Sequence, residues 1–290
     1  MTNTHIARQV LDAADFLEIT NDLRSQEPYS TQVIGSAASA VVAGTANYES
    51  CKWWVVEFEG KVAGIAMHTA PFNIFLSPMP TEAASVLAEL ILKEDPGFPG
   101  INAPNEIAKQ FVDRLLELSS TPLRVALYQE HLSYLLEELK MPDRIVGTMR
   151  LATELDFDLL LTWFQAFAGE AGVESNDLDA TIQRMTDAKR LHLWMDQGQI
   201  VSMAAGSKGL PFPGGTLCRV GPVYTPPEFR KRGYASFVTA NVCRLLIEEG
   251  HAVMLYADAK NQDSNGIYTK IGFQLVGCNS IWKSTWTDQS

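Results

Sequence analysis

The chain has 290 residues, 46% hydrophobic and 20% charged, with 34 acidic against 23 basic side chains and a formal charge of −11. A length beyond the roughly 100–150 residues of a typical domain points to two domains, and the hydrophobic share is that of a folded chain with a large core. The acidic balance argues against general nucleic-acid binding, which rests on clustered Lys and Arg, and against an anionic membrane surface. No apolar run reaches the ~20 residues of a membrane helix. Four cysteines without a CxxC pair, and no basic-then-apolar leader, point to a cytoplasmic protein with reduced thiols.

In chain order, roughly residues 4–45 read as all-helical. WWVVEFEGKVAGIAMHT (53–69) reads as strand, glycine turn and strand; NIFLS (73–77) is a third strand and TEAASVLAELILKE (81–94) a helix. A strand at 100–103, a helix over 104–118 and the strand LRVALY (123–128) follow, and MPD (141–143) offers a turn. The halves are expected to join near 140–150, giving domains 1–145 and 146–290. Thr153 is the expected N-cap of a helix with an inward stripe of Leu155, Leu159, Trp163 and Phe167, and a second helix spans about 177–189. LHLWM (191–195), the turn DQGQ and IVSMAAG (200–206) form a hairpin, followed by the loop GLPFPGG (209–215) and the strand TLCRVGPVYT (216–225). After EFRKRGYAS (228–236) come a helix from about 233 to 249, the strand AVMLYADA (252–259), a short helix near 264–271 and two strand pieces, FQLVG and SIWKSTW.

Strands alternating with helices of crossover length predict an α/β class (α+β in some schemes) with a mixed central sheet and flanking helices. The first half repeats part of this order, suggesting two copies of one fold. Where the second copy carries EFRKRGYAS, the first has SPMP, with neither glycine nor cation. The first half holds 10 basic and 19 acidic residues and the second 13 and 15, so the second is better suited to an anion.

EFRKRGYAS places three cations and a glycine at the start of a helix. The first four N–H groups of a helix lack intrahelical partners and carry roughly +0.5 charge between them. A glycine lets the main chain approach a phosphate, and Ala235 and Ser236 keep the first turn open. Arg-x-x-Gly-x-Ala between strand and helix is chemically a pyrophosphate cradle. The other reading of the hexapeptide is a turn glycine within a solvated cationic patch. It is neither a GxxxxGK[ST] loop nor a GxGxxG turn.

The stretch GPVYTPPEFRKRGYASFVTANVCRLLIEEG (221–250), followed by LYADAKNQDSNGIYTKIGF (255–273), resembles the GNAT superfamily of acyl-CoA-dependent N-acetyltransferases. Strand, R-x-x-G-x-A loop, helix, strand and Asn…Asn-x-x-Tyr-x-x-x-Gly-Phe occur in that order, and the resemblance covers about residues 148–286. It implies a tandem GNAT-like chain with a degenerate N-terminal domain, a catalytic C-terminal domain, and acetyl-CoA (coenzyme A) as acyl donor. Main-chain groups of Val223, Tyr224 and Thr225 would pair with the pantetheine arm. Amides from Arg232 through Gly233, Tyr234 and Ala235 to Ser236 would hold the pyrophosphate, with Arg230 and Lys231 beside them. Asn261 and Asn265 would touch the cofactor's arm, and Tyr268 would lie near the thioester sulfur.

Acyl transfer to an amine must remove a proton from a group of pKa about 10.4 and supply one to a thiolate of pKa near 8.5. Tyr268 suits the second task; the alternative is a core phenol on a packed helix. Glu170, at the end of the aromatic helix and before AGVESND, is the candidate base, against a solvated helix-end carboxylate, Tyr224 or a water chain. The five histidines never fall at metal spacing and His192 reads as structural; no GxSxG elbow exists, and Cys243 reads as core. The acceptor is expected to be a small or peptide amine, with monomer and homodimer both open. Two competing readings are a non-catalytic acyl-CoA-binding module and an acidic half that docks a basic protein.

Overall fold

The computed structural model describes residues 4–46, 48–120, 122–172, 177–212 and 214–286. The chain divides into two compact units: residues 1–131, 211–214 and 277–290 form unit 1, and residues 132–210 and 215–276 form unit 2. The units do not follow the sequence halves, because 132–145 side with unit 2 and the C-terminal segment from 277 with unit 1.

Unit 1 runs β1 (Ile6–Val10), α1 (Ala13–Ile19), α2 (Asn21–Gln26), α3 (Gln32–Val42), β2 (Ser50–Phe58), β3 (Lys61–Ala70), β4 (Ile74–Leu76), α4 (Thr81–Glu94), β5 (Gly100–Pro104) and α5 (Asn105–Leu118), followed by the first part of β6 (Leu123–Leu136). The expected all-helical start is corrected: Ile6–Val10 is a strand antiparallel to β2, too short and too exposed to show a period. β2 and β3 join through a turn with Glu59 at φ 50° and Gly60 at φ 76°, the left-handed pair that suits a two-residue hairpin. β3 pairs β4 antiparallel, β4 pairs β5 in parallel, and β5 pairs antiparallel with the C-terminal strand. One face buries Leu87, Ile91, Phe111 and Leu115 of α4 and α5, and the other buries Phe16 and Ile34 of α1 and α3. α4 starts at Pro80 without a side-chain cap, after Pro78; two residues of this turn therefore have no N–H to offer an anion.

Unit 2 follows a similar element order, with two α-helices rather than three after its first complete strand. After the remainder of β6 come β7 (Thr148–Leu151), α6 (Phe157–Ala171), α7 (Leu178–Asp187), β8 (Leu191–Asp196), β9 (Gln199–Gly206), β10 (Leu210–Phe212), which from residue 211 is counted with unit 1, β11 (Gly215–Tyr224), α8 (Tyr234–Glu248), β12 (Ala252–Asp258), α9 (Gln262–Lys270) and β13 (Phe273–Trp286), whose later part belongs to unit 1. β7, β8, β9 and β11 are successively antiparallel, β11 and β12 are parallel, and β12 neighbours β6. The two expected strand pieces FQLVG and SIWKSTW are one strand. The β8–β9 turn again has a left-handed pair, Gln197 and Gly198 at φ 47° and 81°.

The sheet of unit 2 is buried on both faces. Trp194, Val201 and Ala204 face Val238, Val242 and Leu246 of α8; Leu191, Leu193 and Met203 face Leu160, Trp163 and Phe164 of α6. Of the expected stripe of α6, Trp163 is buried and Leu159 and Phe167 pack against the same core, but Leu155 does not. Leu155 is 98% exposed because Thr153 caps a single 3₁₀ turn, Glu154–Asp156, and the α-helix starts only at Phe157. Spacing of three and four from Leu160 then defines the inward face. Among the described residues, no helix is long and apolar enough to cross a membrane, and no group of three or more His, Cys, Asp or Glu could hold a metal ion.

Candidate functional site

The site lies where two parallel strands of unit 2 part. β11 and β12 are in register from Leu217 to Arg219 against Ala252 to Met254, yet the strands run on to Tyr224 and Asp258. On its other side β11 stays with β9, after a register shift between Val220 and Val223 that spans Gly221 and Pro222. Such a shift bends a strand, and Pro222 has no N–H for a ladder. Val223, Tyr224 and Thr225 thus occupy the strand end that the sequence assigned them. Ser202, fully buried on β9, donates to the Tyr224 carbonyl at 3.1 Å and accepts from the Thr225 hydroxyl at 2.8 Å. The Tyr224 ring lies 5.9 Å from Trp163 of α6, and burial pushes its phenol above the usual value, with the Glu170 carboxylate adding to the effect.

Beyond Pro226 the chain makes one 3₁₀ turn, Pro227–Phe229, and then the basic cluster. Lys231 and Gly233 are both left-handed, at φ 62° and 85°, with Arg232 between them. Alternation of hand turns successive N–H groups into one concavity, a geometry that suits anions. Gly233 is the N-cap of α8 and the helix begins without a side-chain cap. The Phe237 N–H is the first to find a helical acceptor, the Gly233 carbonyl at 3.0 Å, so the amides of Tyr234, Ala235 and Ser236 precede the ladder. A Cβ on Gly233 would meet only Ile145 Cγ2, at 3.4 Å; torsion rather than space calls for glycine here.

The three cations differ. Lys231 and Arg232 are exposed, and Arg232 donates to the Glu228 carbonyl at 3.2 Å while standing over the Phe229 ring. Arg230 turns the other way. Its Nε donates to the Thr225 carbonyl at 2.9 Å, one terminal nitrogen donates to both Glu170 oxygens at 2.7 and 2.8 Å, and its guanidinium lies 5.8 Å from the Tyr224 ring centre. Glu170, in the last turn of α6, raises the Arg230 pKa further. The two residues read from sequence as cofactor ligand and base are thus brought together as an ion pair. Of the segment AGVESND, residues 173–176 lie outside the described residues.

Across the gap, Asn261 caps α9 by accepting from the Ser264 N–H at 3.0 Å. Asn265 donates to the Asp258 carbonyl at 3.0 Å, tying α9 to the end of β12, and its Oδ1 is buried without a protein partner. Tyr268 packs against Tyr134 and Phe273 at ring distances of 6.2 and 6.0 Å. Burial pushes its phenol up to about 12, opposed in part by a hydrogen bond with Ser264. Gly272 is required by packing as well as by its φ of 104°, since a Cβ would collide with the main-chain carbonyl of Glu138, in a segment tied to α9 by the Lys140 N–H to Ile271 carbonyl bond. Sequence reasoning missed Ser202, Asp196 and Tyr134. Nothing in a hairpin pattern distinguishes a serine that props a neighbouring strand end. His192 and Cys243 are buried, the imidazole pushed down and the thiol up to about 12, as core residues are.

Residues 197–286 match the family described as FR47-like protein. No curated protein matches the chain by sequence. Solved structures similar over nearly the whole chain include a GNAT-family acetyltransferase from Colwellia psychrerythraea (13% identity, TM-score 0.56, covering 97% of this chain and 100% of that one). A GCN5-related N-acetyltransferase from Sphaerobacter thermophilus gives 14% identity and a TM-score of 0.56, covering 97% and 95%. A Drosophila protein gives 14%, 0.58, 97% and 98%. Over nearly the whole chain the fold, with its parted parallel strands and its Arg-x-x-Gly-x-Ala turn, is similar to that of these acetyltransferase structures, and residues 197–286 match the FR47-like family.

Proposed function

We propose that unit 2 is an acetyl-CoA-dependent N-acetyltransferase domain that moves an acetyl group to a primary amine by direct attack, with unit 1 as a scaffold. The observation that carries this reading is the turn of two left-handed residues, Lys231 and Gly233, leading into an uncapped helix start beside a parallel strand pair that separates. Amides of Arg232 to Ser236 donate to the diphosphate, and Lys231 and Arg232 add full charges. Main-chain groups of Val223 to Thr225 pair with the pantetheine arm as an added strand would. An N–H of Val223 or Tyr224 polarises the thioester carbonyl.

In the transfer, the amine nitrogen attacks the carbonyl carbon, the C–N bond forms and the C–S bond breaks. Tyr268, held neutral by burial, donates to the departing sulfur, and the surplus amine proton goes to Glu170 or to water. Holding amine and thioester together contributes on the order of 7–11 kcal/mol. Arg230 and Glu170 are each about half exposed, and such a pair is worth about 0–1 kcal/mol. A diphosphate in the cradle competes for Arg230 and leaves the carboxylate to the amine. The acceptor itself is a small or peptide amine.

The test is thiol release from acetyl-CoA across polyamines, amino acids, aminoglycosides and peptides. Turnover of one amine supports the reading; CoA binding without release on any of them supports a non-catalytic acyl-CoA-binding module. That second reading is favoured by the engagement of both Glu170 oxygens with Arg230. Absence of CoA binding overturns both.

A further inference from the structure

Asp196 has no part in the transfer described above, yet it sits directly behind the cradle. It is the last residue of β8, and its side chain points to the α8 face of the sheet, where Trp194 packs edge-on against Phe237 at 4.9 Å. The Tyr234 hydroxyl donates to Asp196 Oδ2 at 2.5 Å, while Asp196 Oδ1 is buried without a protein partner. Tyr234 is the first residue of α8, adjoins the left-handed Gly233 and is 6% exposed. The Asp196 carboxylate, foremost through the hydrogen bond it accepts, pushes the Tyr234 phenol above its ordinary value. A carboxylate on an otherwise apolar face costs free energy unless a donor holds it, and the donor it has is the residue that opens the helix.

We propose that Asp196 is a positioning residue of the diphosphate cradle, fixing the first turn of α8 through the Tyr234 hydroxyl so that the amides of Tyr234, Ala235 and Ser236 are aimed before any ligand arrives. Free amides bind an anion well only when their orientation is set in advance, since otherwise ordering the loop offsets the gain. The inference rests on the reading of unit 2 as an acyl-CoA-binding domain. It adds a residue from the hairpin, outside the Arg-x-x-Gly-x-Ala motif, to the determinants of affinity.

The experiment combines CoA titration calorimetry, steady-state kinetics and amide hydrogen exchange on the full chain. Asp196→Ala and Tyr234→Phe are each expected to raise the Kd for CoA about tenfold, the scale of a lost hydrogen bond to a charged group. They should raise the KM for acetyl-CoA with kcat within about twofold, and the double variant should be no worse than either single one, because the two residues act as one contact. Asp196→Asn keeps an oxygen acceptor and should bind CoA within about threefold of wild type. A folded Tyr234→Phe with wild-type affinity, or losses that multiply in the double variant, would overturn the proposal. If wild type binds no CoA the acyl-CoA reading falls instead, and unchanged exchange protection at Phe237 and Val238 in Tyr234→Phe would still sink the anchor.

Discussion

One terminal nitrogen of Arg230 lies 2.7 and 2.8 Å from the two carboxylate oxygens of Glu170, sixty residues earlier in the chain. The contact joins the end of α6 to the turn that leads into α8, so in the function proposed above one ion pair would link the acceptor side of the site to its donor side. With both partners about half exposed, the pair adds little to stability, and its breakage is expected to have opposite effects on the two proposed ligands. Glu170→Gln should leave the melting temperature within ~2 °C and lower kcat/KM for the amine at least about tenfold. It should tighten CoA binding about two- to threefold, because Arg230 no longer has a competing anion. Calorimetry and initial rates on the same preparation check both signs; weaker CoA binding would show that Glu170 holds Arg230 in place for the phosphate rather than away from it.

Gly233 supports a sharper expectation. Its φ of 85° is left-handed and a Cβ would meet only Ile145 at 3.4 Å, so Gly233→Ala should fold, at a cost of about 1 kcal/mol for the strained torsion. Relaxation of that torsion re-aims the three amides that follow. CoA affinity should fall more than tenfold while denaturant unfolding shows the modest loss just stated. Equal affinities in calorimetry would contradict a cradle at this turn.

How much of this was legible varies residue by residue, for physical reasons. Asn265 and Tyr268 stand out only through the family resemblance, whereas the end of α9 at Gly272 and the strand from Phe273 could be read because each answers to a local demand, a left-handed exit and the first residue of a strand. Gly233 was readable for the same reason. Leu155 was misplaced because a 3₁₀ turn before α6 shifts the phase by a few residues, and a four-residue spacing fits either phase. Ile6–Val10 was missed because an edge strand of five residues with an alternately exposed pattern offers too short a period. The roles of Ser202 and Asp196 depend on contacts spanning 22 and 38 residues, which no window of sequence contains. The pairing of Arg230 with Glu170 was hidden in the same way, although both residues had been singled out separately.

Tyr268 is expected to rest as the neutral phenol throughout the working range and to ionise only in passing its proton to the sulfur. Its phenol is pushed up to about 12, first by burial, so Tyr268→Phe should lower kcat by 10²–10³, the scale of a lost general acid, with the Kd for CoA little changed. The pH–rate profile of wild type should show no basic limb from this group below about pH 11. The linkage runs the same way: a folded pKa above the unfolded value near 10 stabilises fully below pH 10, and the contribution is lost as pH rises toward 12. Melting curves at pH 9 and 11 should therefore converge for the Phe variant relative to wild type.

Asp156 fixes the entry to α6. Its carboxylate takes two hydrogen bonds of 2.7 Å from Arg150 and two of 2.9 Å from the Thr153 N–H and hydroxyl, closing the capping box of the 3₁₀ turn that leads into α6. The Arg150 guanidinium foremost, with Thr153, holds it down at about 2 against burial. A folded pKa below the unfolded 3.8 contributes stability that is complete above about pH 4 and lost as pH falls through 2. A shift of that size corresponds to about 2–3 kcal/mol, and Asp156→Asn should cost that much at pH 7 and much less at pH 2 in urea unfolding. Since α6 carries both Trp163 and Glu170, the variant should also raise the KM for the amine while CoA, bound at α8, keeps its affinity. An undiminished stability gap at pH 2 would mean that Asp156 acts through its shape and hydrogen bonds alone, and not through its charge.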